Sequence, residues 1–115
     1  MTPTDRQLAL DDALQQRILV LDGAMGTMIQ RHQLLAADFG GPALDGCNEN
    51  LVLTRPDLIL NIHRAYLDAG VDVIETNSFG GTALVLAEYG LEGQTEAINR
   101  AAARLARQAA DEYSR

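Results

Sequence analysis

Apolar residues recur along most of this chain at intervals of three and four, and two short runs break that rhythm. They are Ile18-Leu19-Val20-Leu21 and Val71-Asp72-Val73-Ile74. A short apolar run rich in branched residues, stopped by glycine or polar residues, predicts a buried strand. The first run stops at Asp22-Gly23 and the second at Glu75.

Elsewhere the spacing predicts helices. Residues 4–16 set Leu10, Ala13 and Leu14 on one side, and Thr4 and Gln7 are spaced as a capping box. Residues 54–70, "TRPDLILNIHRAYLDAG", carry Leu58, Ile62, Ala65, Tyr66 and Ala69 at helical spacing. That segment opens on a Thr54–Asp57 capping box with Pro56 in its first turn, and it closes on Gly70. Residues 82–89 predict a short helix ended by Gly90. Residues 95–113 predict a long one, with Ile98, Ala101, Ala102, Leu105 and Ala109 on one face and Glu96–Arg100 as an i,i+4 pair on another. Between residues 32 and 55 the pattern dissolves into Gly40, Gly41, Pro42, Gly46, Asn48 and Asn50, which predict a mostly irregular loop. A loop of that length in a compact domain is often functional.

Strands alternating with helices follow parallel-sheet logic, because a second parallel strand needs a crossover. "LVLDGAMGT" and "VIETNSFGGT" echo one another as strand, acid and Gly-Thr turn. The expected fold class is therefore α/β: an N-terminal helix and about two βα units, the N-terminal portion of a (β/α)8 barrel left incomplete in this chain. Two parallel strands cover neither face nor edge of a sheet, and a whole barrel takes about 250 residues against the 115 here. Residues 1–17 read as a helical extension and 18–115 as the partial barrel.

Composition narrows the function. A formal net charge of −7 and a pI near 4.6 leave no basic stripe for nucleic acid. No run of about 18 apolar residues exists to span a membrane. The acidic, polar start "MTPTDRQLALDDALQQR" resembles neither a signal nor a transit peptide, so a cytoplasmic location is expected. Cys47 is the single cysteine, which excludes an internal disulfide and a multi-cysteine metal site.

Candidate chemistry lies at the two strand ends, where α/β folds bind ligands. These ends are Asp22-Gly23-Ala24-Met25-Gly26-Thr27 and Glu75-Thr76-Asn77-Ser78. Glycines let a backbone approach a ligand closely, and a helix starting beyond them aims free N–H groups at an anion. Asp22 alongside favours a cation. Together the pair suits a zwitterion such as an α-amino acid. The plainer readings are a simple Gly-x-x-Gly turn, a solvated or salt-bridged Glu75, a packing or surface role for His63, packing roles for Met25 and Met28, no metal partner for His32, and a buried, inert Cys47. The dinucleotide fingerprint and the P-loop are both absent.

"ILVLDGAMGTMIQ", "GCNENLVLTRPDLILNIHRAYLDAGVDVIETNSFGGT" and "EAINRAAARLARQAADE" resemble the start of the homocysteine S-methyltransferase family, with its cobalamin-dependent, methionine-forming members nearest. The resemblance runs from about Leu14 onward. It implies a zinc-dependent (β/α)8 barrel in which a methyl group passes from methylcobalamin to the homocysteine thiol, held by zinc as the thiolate. It also implies homocysteine-binding roles for Asp22, Gly23, Ala24, Met25, Gly26 and Thr27, and pocket-lining roles for Glu75, Thr76 and Asn77. The family's zinc ligands are three cysteines on later strands, and Cys47 matches none of them. Neither zinc nor cobalamin is thus expected to bind this chain alone. The chain is expected to be an inactive fragment that needs the rest of the barrel and a cobalamin domain, in cis or in trans. The alternatives are a small anion- or nucleotide-binding α/β module and a non-catalytic subunit completed by a partner chain.

Overall fold

A computed structural model describes residues 2–114. Seven α-helices follow in order: α1 (Pro3–Gln16), α2 (Met25–Gln30), α3 (Ala36–Phe39), α4 (Leu51–Thr54), α5 (Pro56–Asp68), α6 (Ala83–Leu86) and α7 (Thr95–Tyr113). Single 3-10 turns occupy Pro42–Leu44, Asn48–Asn50, Ala87–Tyr89 and Glu92–Gln94.

The core forms where α5 lies against α7, with α4 packed on both. Leu58, Ile59 and Ile62 of α5 meet Ile98 and Ala102 of α7, and Leu51, Val52, Leu86, Ile29, Phe39 and Cys47 close the cluster. Small alanines along α7 leave room for the branched side chains of α5. The far ends of the two helices are tied by Arg64–Glu112 (2.8 Å) and by the Tyr113 hydroxyl, which donates to the Arg64 carbonyl (3.2 Å).

The structure corrects the expected fold class. No strand or sheet forms among the described residues, so the chain is not an α/β portion of a (β/α)8 barrel built from βα units. The two apolar runs are extended, but they meet at one isolated parallel bridge, Leu21 with Val73. Asp22 N–H donates to Val73 O (3.0 Å) and Val73 N–H to Val20 O (3.2 Å). The physical reason is coverage. Ile18, Val20 and Leu21 remain exposed, so no apolar layer rewards extending the ladder.

Helix ends depart from expectation in detail. Helix α1 starts earlier, because Pro3 suits the first turn and Thr2 caps it, in a reciprocal box with Asp5 rather than Thr4 with Gln7. Thr54 does not cap α5. Its hydroxyl donates to the Asn50 carbonyl (3.3 Å) within the preceding helical turn, and Asp57 pairs with Arg55 instead. Ala65 and Ala69 face solvent, while Ile59, Leu60 and His63 are buried. The expected loop at 32–55 is largely wound into short helices and turns. The long helix, its Glu96–Arg100 pair (2.6 Å) and the left-handed stops at Gly70 (φ +100°) and Gly90 (φ +70°) are as the pattern predicts. Helix α1 buries no residue at all, and the molecule is elongated, 48 × 28 × 21 Å.

Candidate functional site

The two polar run-ends converge on one cavity of about 430 Å³. Asp22, Gly23, Ala24, Met25 and Gly26 line it from one side, and Glu75, Thr76, Asn77, Ser78 and Phe79 from the other. Thr27 is not in its lining; it is exposed in the first turn of α2.

Asp22 is buried and committed. Both of its carboxylate oxygens accept from the Glu75 N–H at 3.1 Å, so it clamps the start of one run-end to the other. Asp72 ties the opposite end of the same pair: it accepts from Val20 N–H (2.9 Å) and pairs with Arg17 (2.8 Å). The Val20 amide and the Arg17 guanidinium together hold its carboxyl below the usual carboxylate range. These side chains do for the extended segments what a sheet ladder would otherwise do.

The glycine-bearing turn is held from the helical body. The Tyr66 hydroxyl on α5 donates to the Ala24 carbonyl (3.3 Å), and a Cβ on Gly23 would lie 3.7 Å from that hydroxyl. Helix α2 begins at Met25 and is only six residues long. Its first intrahelical bond, Met28 N–H to Ala24 O, is long at 3.4 Å. Met25 and Met28 are partly buried against the core.

The third wall comes from the 32–55 segment, where the sequence singled out no binding residue. Asn48 and Glu49 sit in the 3-10 turn after Cys47 and line the cavity between the two run-ends. Buried Asn77 donates from its amide to the Asn48 carbonyl (3.0 Å), which fixes that turn against the second run-end. Only the length of the expected loop hinted at these residues. Three carboxylates, Asp22, Glu49 and Glu75, thus face the cavity, and no arginine is among its lining residues. Such a lining favours a cationic group.

The donor set does not fit zinc. Cys47 is fully buried in the core cluster, outside the cavity, and burial pushes its thiol up, away from the thiolate a metal requires. Among the described residues no three His, Cys, Asp or Glu side chains are grouped to hold a metal ion. His63 is buried with neither ring nitrogen partnered by a described residue, and burial pushes its pKa down.

A family model described as homocysteine S-methyltransferase matches residues 19–115. The chain belongs to the homocysteine S-methyltransferase family. The match covers both cavity-forming run-ends and leaves only α1 and its junction outside. Among the described residues no helix is long and apolar enough to cross a membrane.

Proposed function

We propose that this chain carries part of a homocysteine-binding site used in methyl transfer to the homocysteine thiol, giving methionine in the cytoplasm. The observation that supports it best is the convergence of Asp22–Gly26 and Glu75–Asn77 on one cavity within the family-matched span. An amino acid brings an ammonium, which the carboxylates suit, and a carboxylate, which the bare amides beside Gly23 suit. In the reaction the thiol gives up its proton to solvent, a sulfur–carbon bond forms, and the donor–methyl bond breaks with its electron pair staying on the donor.

We assign methylcobalamin as the donor and zinc as the activator of the thiolate on the family resemblance. The residues here do not supply the zinc ligands, so those and the cobalamin-binding surface belong to further polypeptide, in cis or in trans. Exposed Ile18, Val20, Leu21 and Phe79 around the run-ends give such a segment apolar surface to cover. On this reading the chain binds the amino acid but does not itself turn it over.

The nucleotide-binding alternative is disfavoured by three carboxylates and no cation in the lining. Titration calorimetry with L-homocysteine, ATP and inorganic phosphate tests the choice. Heat from homocysteine alone is expected. Heat from ATP or phosphate alone, or from none of the three, overturns the reading.

A further inference from the structure

Glu49 stands apart from the other two acids of the cavity. The Asp22 carboxylate is occupied by the Glu75 amide. Glu75 is exposed. The Glu49 side chain is half-buried, lines the cavity, and makes no hydrogen bond or ion pair with any described residue. A half-buried carboxylate without a donor loses hydration that only a donor can return.

Its neighbours keep it there. A Cβ on Gly80 would lie 2.8 Å from Glu49 Oε1 and 3.2 Å from its Cδ, so the absence of a side chain at residue 80 makes the space the carboxylate occupies. The Asn77–Asn48 hydrogen bond fixes the backbone immediately before it. On the other side, Asn48 Nδ2 would be 3.8 Å from a Cβ on Gly26, which sets the Asn48-Glu49 pair between the glycine-bearing turn and the second run-end.

We propose that Glu49 is the specificity-determining residue that receives the α-ammonium of the bound amino acid. The inference rests on the homocysteine reading and adds to it the group that distinguishes an amino acid from an otherwise identical thiol acid. The ammonium supplies up to three N–H donors to a carboxylate that has none. The charge it brings also offsets the mutual repulsion of the cavity's acids. The opposite end of the ligand then lies toward the Gly23–Gly26 amides.

Titration calorimetry of L-homocysteine and of 4-sulfanylbutanoate, which lacks only the amino group, tests this on the unmodified protein, Glu49→Gln and Gly80→Ala. Glu49→Gln keeps the shape and removes the charge. It is expected to weaken homocysteine at least tenfold while changing the desamino acid less than twofold. Gly80→Ala displaces the carboxylate without removing it and is expected to shift the same ratio in the same direction by a smaller factor. Circular dichroism checks that both variants fold. If Glu49→Gln binds homocysteine as the unmodified protein does, or loses both ligands equally, the role of Glu49 is overturned while the homocysteine reading stands. If the unmodified protein binds no homocysteine, that reading falls first.

Discussion

Ile59 on α5 and Ile18 in the first extended run are the same residue at opposite extremes: the first is fully buried, the second 89% exposed. The difference comes from how each segment satisfies its backbone. A helix closes its own hydrogen bonds, so its apolar face needs only one neighbour, and α5 has α4 and α7. An extended segment needs a partner on each edge and a layer on each face, and residues 18–21 have a single bridge to Val73. Stability therefore resides in the helical body, while the cavity sits on the segments with the least packing of their own. Regions that must accommodate a ligand are commonly drawn from that less stable end.

The sharpest way to break this comparison is to truncate both isoleucines. Ile59→Ala is expected to cost about 2–5 kcal/mol in chemical denaturation, as a buried branched side chain leaving a cavity does. Asp22→Ala comes next. It frees the Glu75 amide from a charged acceptor, with an expected loss of about 1.5–3 kcal/mol, and amide exchange at Glu75 is expected to accelerate at least tenfold. If Glu75 stays protected, the clamp between the run-ends is not what orders them.

His63 sharpens the comparison from inside the body. Its folded pKa lies below the unfolded value of about 6.5. The unfolded chain therefore binds the proton more readily, and stability is lost as pH falls from about 6.5 toward the folded value. His63→Leu removes that slope and the two unpartnered nitrogens, with an expected gain of about 1 kcal/mol near neutral pH. Urea melts at pH 5 and pH 7.5 check both signs. The smallest effects belong to the surface: Ile18→Ala and Arg100→Ala are each expected to stay within about 0.5 kcal/mol. A larger loss for Ile18→Ala would show that the first run is better packed than its exposure indicates.

What was legible in the sequence follows the same division. The long helix at 95–113 and its buried stripe were readable because periodicity and glycine stops are local signals. The glycine-bearing turn and the Glu75–Asn77 run-end were readable as places where apolar sequence gives way to polar, and the structure brings them to one cavity. Strands at 18–21 and 71–74 were not safe to infer, because an apolar run states a tendency to extend and says nothing of whether neighbours exist to complete a sheet. Glu49 was hidden for a related reason. Its place opposite Gly80 depends on a contact across 31 positions of sequence, and no spacing rule reaches that far. Thr54 misled because the cap geometry it fits was pre-empted by the short helix α4 before it.

Tyr66 has a practical use beyond its structural one. The chain has no tryptophan and three tyrosines, and one of these places its hydroxyl on the Ala24 carbonyl at the edge of the cavity. Intrinsic phenol emission therefore carries a built-in optical reporter of that turn. Comparison with Tyr66→Phe isolates its contribution from Tyr89 and Tyr113, so occupancy can be followed without attaching a dye.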